Sequence, residues 1–95
     1  MQGFAASLAR ENIRINCLVP GIINTDRIRS LAESRAAGSK SSIEQQLEKM
    51  QAPIPLGRFG TAAEFGRAGA FLLSDAASYI TGTTLVADGG AMKAL

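Results

Sequence analysis

The residues with the clearest chemical potential form one short run, Pro20-Gly21-Ile22-Ile23-Asn24-Thr25. It follows a stretch in which Ile13, Ile15, Cys17 and Val19 alternate with Arg14 and Asn16. That alternation predicts a β-strand over 13–19, and the added Leu18 predicts burial on both faces, as in a parallel sheet. Pro20-Gly21 ends the strand in a sharp turn. In sheets of this kind, ligands sit beyond the carboxyl ends of the strands. A turn at that place presents backbone N–H and C=O groups, and the Thr25 hydroxyl, to whatever binds there. The same residues also have a plain structural reading, in which Pro-Gly stops a strand and Thr25 caps the following helix.

Other chemistries are narrowed by composition. The sequence has no histidine, which excludes a Ser-His-Asp triad and a histidine-based metal site, so no metal ligands are assigned. Cys17 is the single cysteine, so no disulfide can form within the chain. On a strand it reads as a buried small hydrophobe, and its solitary use fits a reducing cytoplasm. Asp88 precedes Gly89-Gly90 and reads as part of a turn, not as a catalytic acid. The formal net charge is +2 and the arginines are scattered, with few aromatics, which argues against a nucleic-acid partner. No apolar run approaches the roughly 18 residues of a membrane span.

The elements that must position the run follow from periodicity. Gly3 to Glu11 reads as a helix, with Asn12 as its stop. Thr25 starts a polar segment, 25–52, that reads as two helices broken at Gly38-Ser39. Ser41 and Glu44 form a capping box for the second. A proline loop spans 53–60. Thr61 and Glu64 form another capping box, followed by a helix to about Ser74 with Phe65, Ala68, Gly69 and Leu72 on one face. Gly66 and Gly69 are costly in that helix, so close packing is expected at one of them. Thr83 to Ala87 reads as a last short strand. Strands alternating with helices give an α/β class with a parallel sheet, yet two strands do not make such a sheet alone.

Four segments, taken together, carry a family resemblance. They are Ile13 to Thr25 (IRINCLVPGIINT), Pro55 to Gly60 (PLGRFG), Phe71 to Gly82 (FLLSDAASYITG) and Asp88-Gly89-Gly90. In this order and spacing the chain resembles the last third of short-chain dehydrogenases/reductases, in the 3-oxoacyl-acyl-carrier-protein reductase-like branch. The resemblance implies that 1–95 is the C-terminal part of one Rossmann-like, doubly wound parallel sheet, incomplete, with about two strands plus helices. It implies an NAD(P)-dependent oxidoreductase acting on a small-molecule carbonyl or alcohol substrate, with NAD and NADP undecided, in a cytoplasmic homo-oligomer.

The resemblance also implies roles. The Ile23 backbone and the Thr25 hydroxyl contact the nicotinamide carboxamide, while Pro20 and Gly21 shape the pocket. Segment 25–52 is the substrate lid, with Leu31, Ile43 and Leu47 available to line an apolar substrate pocket; an ordinary amphipathic helix pair is the plainer reading. Arg58 reads as structural. The family's Gly-rich phosphate turn and its Tyr-x-x-x-Lys pair have no counterpart here. Tyr79 is followed four residues on by Thr83, and it resembles the family's late structural tyrosine. No catalytic residue is therefore assigned, Met1 falls just after the catalytic pair, and the chain by itself is expected to be inactive. The alternative is a non-enzymatic interaction module or a non-functional gene fragment.

Overall fold

Periodicity and caps set most of the element boundaries in the computed structural model, which describes residues 2–92. The order is α1 (Gln2–Ala9), β1 (Cys17–Pro20), α2 (Asp26–Ala37), α3 (Ile43–Gln51), α4 (Ala62–Leu73), a 3-10 turn (Asp75–Ala77) and β2 (Thr84–Ala87). The strands pair in parallel, in the register Cys17↔Thr84 to Pro20↔Ala87. The alternation is the one expected for an α/β sheet. Among the described residues, no helix is long and apolar enough to cross a membrane.

Local chemistry explains the ends. α1 stops where Asn12 takes a left-handed backbone (φ 61). The Ile13 N–H bonds the Leu8 carbonyl and the Asn12 N–H bonds that of Ala9, which is a Schellman closure with asparagine in place of glycine. Thr25 caps α2. The capping box at Thr61 and Glu64 is present as expected. The box on α3 lies one residue later than expected, at Ser42 and Gln45. Ser41 is occupied instead by Ser39 and Gln46, each 2.6 Å away, and Gln serves as well as Glu at the third helical position.

Two further expectations are corrected. β1 begins at Cys17 rather than Ile13. Side chains bind the backbone that a longer ladder would use. Thr81 Oγ1 accepts from the Ile15 N–H, Asn16 donates to the Ile80 carbonyl, and Asn16 accepts from the Thr83 N–H. Cys17 is exposed rather than buried. The opposite face of β1 packs on α4, where a Cβ on Gly69 would lie 3.5 Å from the Leu18 methyl Cδ2. Gly69 is thus the glycine explained by packing, and Gly66 faces open space.

The core is small. The buried apolar residues among those described are Ala5, Ala32, Ile54, Phe59, Leu72 and Ala77. The accessible surface is 6920 Å2, against about 5,200 Å2 for a compact chain of this size. The radius of gyration is 17.4 Å, against about 12 Å for a compact domain of the same length. The excess surface is comparable to a whole protein–protein interface. The elements leave large apolar side chains such as Leu56, Leu73 and Tyr79 exposed.

Candidate functional site

Three loops meet at the carboxyl ends of the two strands. The loop after β1 is fixed first by its approach to β2. The Gly21 N–H bonds the Ala87 carbonyl at 2.9 Å. A Cβ on Gly21 would lie 2.6 Å from the Asp88 Cα, so only glycine lets the two backbones pass. Pro20 is the last residue of β1 and carries no N–H to continue a ladder. Asp88 organises the facing turn: its carboxylate accepts from the Gly90 and Met92 N–H groups, at 2.9 and 2.7 Å. Gly89, at φ 65, then accepts from the Leu56 N–H at 3.0 Å, which ties in the proline loop.

The second fixation is a single parallel bridge between Ile23 and Gly60. The Gly60 N–H bonds the Ile22 carbonyl at 3.1 Å, and the Asn24 N–H bonds the Gly60 carbonyl at 2.8 Å. In a parallel bridge of this pattern the flanking residues make the bonds. The N–H and C=O of Ile23 itself therefore point away from Gly60, as one adjacent donor and acceptor. Thr25 Oγ1 accepts from the Ile28 N–H at a long 3.4 Å. The hydroxyl is exposed, and its proton and second lone pair remain available. One N–H, one C=O and one hydroxyl on neighbouring residues suit a planar carboxamide, which itself carries an acceptor and two donors. The four predicted cofactor-side residues, Pro20, Gly21, Ile23 and Thr25, thus lie together on one strand end.

A cleft of about 110 Å3 lies between these loops, lined in part by Ile22, Ile23, Gly60, Asp88, Arg58 and Glu64. Arg58 grips Glu64 with both guanidinium arms, Nη1 to Oε1 at 2.8 Å and Nη2 to Oε2 at 2.9 Å. Its Nη1 also donates to the Phe59 carbonyl at 3.1 Å. Glu64 completes the α4 capping box by accepting from the Thr61 N–H at 2.9 Å. The Arg58 fork first, and then the Thr61 N–H, hold the Glu64 carboxyl down at about 2, and the same pairing raises Arg58 further. Arg58 is thus engaged within the protein, in keeping with a structural reading.

A larger groove, of about 610 Å3, lies against the helical pair, lined by Ile22, Ile28, Leu31, Arg35, Lys49 and Met50 among others. Ile22 lines both groove and cleft, so the two adjoin. Of the predicted lid residues, Leu31 lines the groove. Ile43 and Leu47 do not line it, and sit half-buried on α3. Sequence reasoning missed Ile22 as a lining residue, the bonds of the Asn16 side chain to the 80–83 backbone, and Gln51, whose Oε1 accepts from the Phe59 N–H. Nothing in residue spacing signals such long-range pairings. Among the described residues, no cluster of His, Cys, Asp and Glu could hold a metal.

This arrangement has clear relatives. Residues 1–92 match the family described as enoyl-(acyl carrier protein) reductase. The NADPH-dependent reductase BacG of Bacillus subtilis is 40% identical over 94 residues, covering 99% of this chain and 36% of that protein. The 3-oxoacyl-(acyl-carrier-protein) reductase FabG of Salmonella typhimurium is 45% identical over 92 residues, covering 93% of this chain and 33% of that one. A short chain dehydrogenase family protein from Francisella tularensis superposes with a TM-score of 0.85 at 31% identity, over 94% of this chain and 37% of the other. The chain belongs to the short-chain dehydrogenase/reductase family. It spans about a third of the length of these relatives.

Proposed function

We propose that this chain is the nicotinamide-side and substrate-lid portion of an NAD(P)-dependent oxidoreductase that acts on a carbonyl or alcohol substrate. The observation that carries this reading is the Ile23–Gly60 bridge, which turns the Ile23 N–H and C=O outward at the carboxyl end of a parallel strand. Ile23 and Thr25 hold the carboxamide, and Pro20 and Gly21 let the loop lie close against β2. The bound cofactor supplies or accepts the hydride; the chain's own residues orient its ring. Leu31 and the groove beside it shape the substrate side, with Ile43 and Leu47 behind. The proton donor and the phosphate-binding turn belong to the remaining two thirds, so 1–95 is one part of a single NAD(P)-binding domain, with 25–52 as its lid. The assembled enzyme is read as a cytoplasmic homo-oligomer, which rests on the family resemblance.

The test is a fusion of this whole chain behind the first two thirds of the Salmonella reductase. The fusion is expected to reduce 3-oxoacyl thioesters with NADPH, while the chain alone gives no turnover with NADH or NADPH. Thr25→Val in the fusion keeps the shape and removes the hydroxyl, with an expected loss of about 0.5–1.5 kcal/mol in cofactor affinity. A folded fusion whose NADPH affinity and rate ignore Thr25→Val leaves Thr25 with the capping role only. Turnover that co-purifies with the bare chain contradicts the division of labour.

A further inference from the structure

The Ile23 amide can serve a ligand only if something fixes its direction, and the loop that carries it is short and exposed. Its neighbours are both tied to a single residue, Gly60: the Ile22 carbonyl accepts from the Gly60 N–H, and the Asn24 N–H donates to the Gly60 carbonyl. Gly60 is therefore the hinge point of the site, and the question becomes what holds Gly60.

The residues around it answer in sequence. Phe59, just before, is buried at 7% exposure and has its N–H fixed by Gln51 Oε1 at 3.1 Å. Its carbonyl accepts from Arg58 Nη1 at 3.1 Å. Thr61, just after, has its N–H fixed by Glu64 Oε1 at 2.9 Å. Arg58 and Glu64 are then locked to each other by two parallel bonds. The fork closes a ring through Arg58, Phe59, Gly60, Thr61 and Glu64, with Gly60 at its apex against Ile23. The fit is tight, since a Cβ on Gly60 would lie 3.1 Å from the Ile23 Cδ1. Bidentate arginine–carboxylate pairs supply geometric specificity as well as attraction. That makes this pair suited to aiming a loop even though both side chains face solvent.

We infer that Arg58 and Glu64 are positioning residues for the nicotinamide contact: their fork sets Gly60, Gly60 sets the Ile22–Asn24 segment, and that segment aims the Ile23 N–H and C=O. The assignment rests on the cofactor reading above. It gives Arg58 a role in the reaction without contact to cofactor or substrate.

The test uses two fork-removing variants, with Arg58→Lys as a control, in the fusion described above. Arg58→Met keeps the stem and removes the fork. Glu64→Gln neutralises the carboxylate but still serves a capping box, so fraying of α4 is separated from loss of the fork. Amide hydrogen exchange at Asn24 and Gly60 is expected to quicken about fivefold, the upper range for an exposed pair. Exchange at Phe71 and Leu72, far along α4, stays unchanged. In kinetics, the KM for NADPH rises by a similar factor. Inhibition by 2′-phospho-ADP-ribose, which lacks the nicotinamide, is unaffected; general loss of structure would weaken both. Arg58→Lys, which keeps the charge without the fork, does not rescue. Unchanged exchange at Asn24 and Gly60 in both variants overturns the inference and leaves the cofactor reading standing. A folded fusion that binds NADPH no better than 2′-phospho-ADP-ribose overturns the cofactor reading, even where the exchange response survives.

Discussion

The helical pair α2–α3 and the strand pair β1–β2 are built by opposite means. α2 and α3 adjoin in sequence, each has a side-chain cap, and they pack on one another with Ala32 fully buried. β1 and β2 join residues far apart in the chain, such as Cys17 and Thr84. Backbone approach, rather than side-chain filling, brings their ends together. The helical pair is therefore expected to vary without disturbing the strand ends, where a Cβ on Gly21 has no room beside Asp88. The residues proposed for the cofactor side sit on the intolerant half, and those proposed for the substrate side on the tolerant one.

The sharpest way to break that contrast is at Gly21. Gly21→Val forces atoms into a space where even a Cβ lies 2.6 Å from the Asp88 Cα. The expected cost is about 3 kcal/mol, at the upper end for overpacking, read as a lowered melting temperature of the fusion. Hydrogen exchange within α2 and α3 should be unchanged. Equal loosening of both regions would show that they are not independent.

A somewhat smaller effect is expected at the other end of the strands. Arg14 donates to the carbonyls of Leu72, Ile80 and Ser74, at 2.8, 3.3 and 3.5 Å, closing the end of α4 against the β1 approach. Arg14→Met keeps the packed stem and loses the bonds. About 2 kcal/mol of stability should go with them, since charged donors to carbonyls are worth about 1.5–3 kcal/mol. Because the site lies at the opposite strand ends, the KM for NADPH should hold while the melting temperature falls.

These two residues also mark how far the sequence could be read. The element order, the caps at Thr25 and Thr61, the stop at Asn12 and the parallel pairing all follow from local chemistry and periodicity, and the family motif located the Pro20–Thr25 run. The true start of β1 was hidden, because Arg14, Asn16 and Thr81 redirect the backbone bonds through partners more than sixty residues away in most cases. The shift of the α3 box from Ser41 to Ser42 turned on a choice between adjacent serines, settled by which one Gln46 engages. Gly21 reads as a strand stop in the sequence. Only the fold shows that it is also the one residue thin enough to pass Asp88.

The smallest effect is expected from pH. Glu64 titrates at about 2 in the folded chain, against an ordinary value of 4.5. Its pKa is depressed by folding, so the stabilisation it gives is complete above about 4.5 and is lost as the pH falls from there towards 2. Arg58 stays charged throughout, and Asp88 is the other carboxylate lining the same cleft. The amide signals of Thr61 and Gly60 should shift over that window, and Glu64→Gln should abolish the shift. The change is modest because both partners are solvent-exposed.

The central claim is that this chain is one part of a larger parallel sheet and is not complete without it. Size-exclusion chromatography with light scattering on the purified 95-residue chain, followed by thermal melting of the same sample, tests it most directly. An uncovered parallel strand pair forfeits burial worth about 25 cal/mol per Å2, and unpaired strand edges are templates for association. The expected result is helical content with either a broad, non-cooperative melt or an assembly larger than one chain. A monodisperse monomer with a sharp cooperative melt would contradict the account, and would make the chain a self-sufficient module.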